Sequence, residues 1–171
     1  KVFEINRNFR NEGISHKHNP EFTMVEFYQA FSDYNDLIKL TEEMLKYVAL
    51  KSTGSLQFNY RQNCISFNGN WEKITMLDAI KKYADILISF DMQLEEIKKI
   101  CKKNDIEIDE SSGKGKLINE IFEKLVEPKL IQPTFIKDYP IEISPLAKKH
   151  PKNKELVERF ELFIASREIA N

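Results

Sequence analysis

At both ends of this chain apolar residues recur at every second position, while in its middle they recur every third or fourth. That order constrains the fold more than any other feature. Phe3, Ile5 and Phe9 fall on one side of an extended segment, with Glu4, Asn6, Asn8 and Arg10 on the other. After a polar loop over 13–20, residues 22–31 are again rich in aromatic and β-branched side chains. Asp33 or Asn35 then caps a helix whose apolar positions are Leu37, Leu40, Met44, Leu45 and Val48, and Gly54 ends it. Leu56, Phe58 and Tyr60 alternate, as do Ile65 and Phe67, which predicts a hairpin.

The middle is lysine-rich and helical. Thr75 with Asp78 resembles a capping box opening a helix through Leu77, Ile80 and Ala84. Leu94, Ile97, Ile100 and Cys101 mark a second helix. A Ser-Ser-Gly-Lys-Gly break at 111–115 precedes a third, with Leu117, Ile118, Ile121, Phe122 and Leu125 on one stripe. From Pro128 onward the strand pattern returns, punctuated by Pro133, Pro140, Pro145 and Pro151. The expected class is therefore α+β, with a helical insertion interrupting an antiparallel sheet. The expected parts are 1–72, an insertion over 73–129, and return strands over 130–171. The chain opens in one strand and stops in another, so it reads as cut from something larger.

Charge is nearly balanced, 26 basic against 27 acidic residues, so any nucleic-acid contact must come from local patches. Lys81-Lys82, Lys98-Lys99 and Lys102-Lys103 are such pairs, and the expectation for most of them is a solvated face. Cys64 and Cys101 stand far apart without metal spacing, which fits buried small hydrophobes in a reducing compartment. No apolar run approaches the ~20 residues that span a bilayer. A soluble, cytoplasmic protein without membrane contact is expected.

Two constellations carry chemistry. Arg10 and Glu12 share a face of one strand: an arginine fork suits a phosphate, and a carboxylate accepts from an exocyclic amine. Taken alone they would be an ordinary ion pair on a solvated strand. The other is His18-Asn19-Pro20-Glu21-Phe22 followed by Glu26-Phe27-Tyr28. Glu26 beside Tyr28 makes a cage for an ammonium group, and Phe22 offers a flat face for a base.

Together, Phe9-Arg10-Asn11-Glu12-Gly13-Ile14 and His18-Asn19-Pro20-Glu21-Phe22-Thr23-Met24-x-Glu26-Phe27-Tyr28 closely resemble motif 2 of class II lysyl-tRNA synthetases of the bacterial type. The segments at 132–136 and 139–147, and Arg159-Phe160-Glu161-Leu162-Phe163-Ile164 with Glu168-Ile169-Ala170-Asn171, resemble the same family. One departure is Ala165-Ser166, where the family commonly has glycine and the turn is expected to be stiffer.

The resemblance implies the class II antiparallel sheet and a homodimeric lysine–tRNA ligase using ATP, L-lysine, tRNA(Lys) and Mg²⁺. It implies Arg10 on the α-phosphate, Glu12 on the adenine amino group, Phe22 beneath the adenine, and His18 and Asn19 near the outer phosphates. Glu26 would take the α-ammonium of lysine, Tyr28 its side-chain ammonium, and Glu168 would be one magnesium carboxylate, the second lying beyond Asn171. On this reading the chain is a catalytic-domain fragment, inactive in isolation. Two alternatives stand beside it. One is the paralogue that lysylates a translation elongation factor, disfavoured by Phe27 and the Ile143-Ser144-Pro145-Leu146-Ala147 string. The other is a non-catalytic module that binds tRNA or protein.

Overall fold

A computed structural model describes residues 1–11, 13 and 19–171. The chain divides into two compact units, Lys1–Asp36 and Leu37–Asn171.

The first unit is an antiparallel hairpin of β1 (Val2–Phe9) and β2 (Glu21–Tyr28), running in unbroken register from Val2 opposite Tyr28 to Phe9 opposite Glu21. One face carries Phe3, Ile5, Phe9 and Val25, all exposed. The other carries the polar Glu4, Asn6 and Asn8 of β1, as the alternation predicts, opposite Glu26, Met24 and Phe22 of β2. Asp33 opens the following helix: its Oδ1 accepts the Asp36 N–H at 3.1 Å, and Asp36 Oδ2 accepts the Asp33 N–H at 3.1 Å.

That helix, α1 (Tyr34–Thr53), leads to the small hairpin of β3 (Gln57–Tyr60) and β4 (Asn63–Ser66). The buried positions of α1 are Ile38, Thr41, Glu42 and Ala49, one step round from the expected apolar stripe, and Val48 is exposed. The reason is ionic. Glu42 accepts from Lys46 at 2.6 Å, from Lys73 at 2.7 Å and from the Trp71 N–H at 3.3 Å. Burial pushes the Glu42 carboxyl up, but these donors outweigh it and hold it below its ordinary value.

β5 (Glu72–Thr75), β6 (Thr134–Pro140), β7 (Leu156–Ile164) and β8 (Arg167–Ala170) form a four-stranded sheet in that order. The β6–β7 and β7–β8 ladders are antiparallel, as expected. The sequence gives no expectation of β5, which pairs parallel to β6. Parallel neighbours need a long crossover. Here it is made by α2 (Met76–Ala84), α3 (Leu94–Lys103) and α4 (Lys114–Leu125). Thr75 caps α2 by accepting the Asp78 N–H. The three helices bury Ile80, Ile97, Leu117, Ile121 and Phe122 against Ile136, Tyr139, Val157 and Phe163 of the sheet. Trp71, Phe135 and Phe160 form an aromatic cluster: Phe135 stacks on Trp71 at 5.9 Å and meets Phe160 edge-on at 5.6 Å. Cys101 is buried, but Cys64 is exposed, because its neighbour Ile65 takes the inward position on β4. Among the described residues no helix is long and apolar enough to cross a membrane.

The start of α4 explains two glycines. Gly113 offers no capping side chain, and Glu142, in the 3₁₀ turn Ile141–Ile143, accepts the Gly115 N–H at 2.8 Å in its place. A Cβ on Gly115 would lie 2.8 Å from Glu142 Cβ and 2.9 Å from Pro140 Cβ. Helix propensity favours alanine at such a position by about 1 kcal/mol. The clash should dominate, so Gly115→Ala is expected to destabilise the chain by about 1–3 kcal/mol in urea denaturation. A more stable Gly115→Ala chain would show that this contact is not tight.

Candidate active site

Cross-strand partners in an antiparallel pair project from the same face. The register places Asn8 opposite Phe22, Glu4 opposite Glu26 and Val2 opposite Tyr28. Arg10 extends this row, its backbone N–H donating to the Pro20 carbonyl at 2.9 Å. Arg10, Phe22, Glu26 and Tyr28 therefore share one face of the β1–β2 hairpin. Asn19 is exposed just ahead of β2. Glu12 and His18 lie outside the described residues.

The face is chemically polarised along its length. At one end the Arg10 guanidinium lies 5.6 Å from the centroid of the Phe22 ring. At the other, the Tyr28 hydroxyl donates to Glu26 Oε1. That hydrogen bond, then the charge of Glu26, slight burial and the charge of Glu4, raise the Tyr28 phenol above its ordinary value. Glu4 stands directly opposite Glu26, a juxtaposition of like charges that destabilises a bare ladder and suits a cation. Asn6 Nδ2 donates to Glu4 Oε2 at 3.0 Å. At about 3.3 Å per residue, Phe22 and Glu26 are separated by about 13 Å along the strand. Sequence reasoning did not single out Glu4; the signal was its cross-strand register.

In the second unit Glu168 stands on β8 opposite Phe163, exposed, with Asn171 Nδ2 donating to its Oε1 at 2.7 Å. Phe163 and Glu161 alternate onto the same side of β7, so Glu161 and Glu168 share a face. In the sequence Glu161 is one residue of a strand and nothing more, yet it is the most perturbed carboxylate described. Burial raises its pKa to about 7, helped by the charge of Glu168; Arg159 and the Tyr139 hydroxyl oppose the shift. Tyr139 donates to Glu161 Oε2 at 2.8 Å, and burial, followed by the charge of Glu161, holds its phenol well above the ordinary value.

Among the described residues no three His, Cys, Asp or Glu side chains gather as a complete cage for a metal ion. Two carboxylates that repel one another suit a different arrangement. Magnesium commonly takes one or two protein carboxylates and completes its shell with substrate phosphates and water. The donor set fits that use. Of the lysine pairs, Lys81, Lys82, Lys99, Lys102 and Lys103 are exposed as expected, but Lys98 is buried, its charge met by carboxylates. Lys82 is bound to Glu72 at 2.6 Å, Lys98 to Glu110 at 2.8 Å, and Lys102 to Glu110 at 3.5 Å.

The raised Glu161 pKa makes stability depend on pH. The folded chain holds the proton up to about pH 7 and the unfolded chain only to about 4.5. Between those values the folded state binds more protons, so its stability falls as pH rises. Relative to Glu161→Gln, the wild-type chain should lose on the order of 3 kcal/mol between pH 4.5 and 7. Urea melts at pH 4.5 and 8 test this, and identical pH dependence in both chains would refute it.

Residues 1–171 match the family model described as tRNA synthetases class II (D, K and N). Among curated proteins the chain is 54% identical over 173 residues to a lysine–tRNA ligase of Prochlorococcus marinus (strain MIT 9515), covering 100% of this chain and 34% of that relative. Lysine–tRNA ligases of Pelotomaculum thermopropionicum (51% over 173 residues) and Bacillus cytotoxicus (48% over 171 residues) match with the same coverage. The chain thus spans about a third of the length of these relatives.

Proposed function

Because the chain belongs to the class II tRNA synthetases of the aspartate, lysine and asparagine group, we propose that it is part of a lysine–tRNA ligase. Such an enzyme activates L-lysine with ATP and transfers it to tRNA(Lys). The observation that carries this reading is the polarised hairpin face: a cation on an aromatic ring at one end, opposed carboxylates and a phenol at the other. A nucleotide phosphate and base suit the first end. The second suits the positive charges of lysine and repels an aspartate side chain.

In this reading Arg10 holds the α-phosphate, Glu12 accepts from the adenine amino group, Phe22 stacks beneath the adenine, and His18 and Asn19 approach the outer phosphates. Glu26 receives the α-ammonium of lysine, and Tyr28 helps hold the side-chain ammonium. A lysine carboxylate oxygen attacks the α-phosphorus in line, and the bond to pyrophosphate breaks. No side-chain nucleophile is needed; the protein supplies orientation and charge. Bound magnesium, held by Glu168 and by Glu161 as a second ligand, would neutralise the phosphate oxygens. A terminal ribose hydroxyl of tRNA then attacks the carbonyl carbon, and AMP leaves. The same reading makes the full-length protein a cytoplasmic homodimer.

Two substitutions in the full-length protein separate the ends of the face. Losing the charge of Glu26 should cost about 2–5 kcal/mol of lysine binding, thirtyfold or more. Glu26→Gln should therefore weaken lysine much more than ATP in equilibrium binding, and equal losses would remove Glu26 from the amino-acid site. Arg10→Lys keeps the charge but loses the fork. It is expected to slow single-turnover adenylation steeply with little change in lysine affinity; near-normal adenylation would count against the assignment.

A further inference from the structure

Arg159 precedes Glu161 by two residues on β7 and projects from the same face. Its guanidinium divides between two partners. Nη1 donates to Ser144 Oγ at 2.6 Å, and Nη2 donates to Glu161 Oε1 at 2.5 Å. Its Cζ lies over the Tyr139 ring, 4.9 Å from the centroid. The Tyr139 hydroxyl in turn donates to the other oxygen, Glu161 Oε2, at 2.8 Å. Each oxygen of Glu161 thus accepts one described hydrogen bond and keeps a further lone pair.

The brace is itself anchored. Ser144 is buried and closes the 3₁₀ turn Ile141–Ile143, its N–H donating to the Ile141 carbonyl at 3.1 Å. Glu142 of that turn caps α4 at Gly115. Tyr139 is 1% exposed, within the core that the helices form on the sheet. A side chain fixed at one nitrogen by a buried hydroxyl and packed over a buried ring loses little further freedom in gripping a carboxylate. A lysine in its place could supply charge and donors but not the planar fork that holds Ser144 Oγ and Glu161 Oε1 in a fixed geometry.

We propose that Arg159, braced by Ser144 and Tyr139, is a positioning residue that sets the Glu161 carboxylate for magnesium. The inference rests on the reading of Glu161 as a metal ligand. Groups that orient a ligating carboxylate commonly change metal affinity by ten- to a hundredfold when lost.

The test uses the full-length protein with Mn²⁺ as the probe. Electron paramagnetic resonance of free Mn²⁺ in the presence of ATP, corrected for Mn²⁺ bound by ATP alone, gives the affinity. Arg159→Lys should weaken Mn²⁺ roughly tenfold, and Ser144→Ala should weaken it in the same direction by less. Ser144→Thr, which keeps the hydroxyl, should restore it. Lysine affinity at saturating Mg²⁺ should not move in any of the three. If Glu161→Gln loses Mn²⁺ while Arg159→Lys and Ser144→Ala keep wild-type affinity, the positioning role is overturned and the metal reading stands. If Glu161→Gln also keeps wild-type affinity, both fall. Should Arg159→Lys fail to fold, the contrast of Ser144→Ala with Ser144→Thr decides: a loss that the hydroxyl restores supports the proposal, and no loss refutes it.

Discussion

A strand buried on both faces can exist only where something covers each of them, and most of the second unit follows from meeting that demand for β6. All but one of its residues are buried. Ile136 and Tyr139 belong to the core that α2, α3 and α4 build on the sheet. Phe135 joins Trp71 and Phe160 in the aromatic cluster. The helices also serve as the crossover that lets β5 run parallel to β6. One segment thus covers a face and sets the strand order, which is why the helical middle and the strands around it share one packed core.

The chemistry at Glu161 grows from the same burial. A carboxylate at the margin of a packed sheet loses solvation, and a second carboxylate nearby raises its proton affinity further. Left without partners it would be neutral at physiological pH. Arg159 and Tyr139 resist that tendency without removing it. The Tyr139 contact depends on a local irregularity. Asp138 adopts a left-handed φ of 62, and the register slips from Lys137 opposite Phe160 to Tyr139 opposite Val157. Such breaks re-aim side chains. Regular alternation would put Tyr139 on the side of Lys137; instead it joins Ile136 in the core and reaches Glu161.

These particulars show what could be read in the sequence. Alternation alone placed Arg10, Glu26 and Tyr28 on a polar strand face, and Thr75 and Asp33 announced helix starts, because these signals are local. Four Glu72–Thr75 residues of β5 were not legible, since a parallel edge strand is defined by a partner about 60 residues away. The buried face of α1 differs from its apolar stripe for a similar reason. Hydropathy counts Glu42 as a surface residue, and Lys46, Lys73 and the Trp71 N–H make its burial tolerable; of these, Lys73 and Trp71 are about 30 residues away. Glu161 was passed over because a lone carboxylate in an apolar strand carries no sign of what faces it. Nothing in Lys137-Asp138-Tyr139 marks a left-handed residue beyond the tolerance of aspartate for that conformation.

The β7–β8 turn links backbone conformation to the carboxylate pair directly. Ala165 and Ser166 both have positive φ, 53 and 60, as a two-residue turn of the primed type requires. Neither is glycine, and each left-handed residue costs about 1–2 kcal/mol. The Ala165 N–H donates to the Ile131 carbonyl at 2.9 Å, the Ser166 N–H to Leu130 at 2.8 Å, and Ser166 Oγ to Pro128 at 2.8 Å. Net contributions of about 0.5–1.5 kcal/mol each make these bonds comparable to the strain they offset. Glycines would remove the strain but also the bond from Ser166 Oγ. That bond ties the turn to the segment leading into β6, so the strand bearing Glu168 is fixed against the one bearing Glu161 by its own ladder and by a contact outside it.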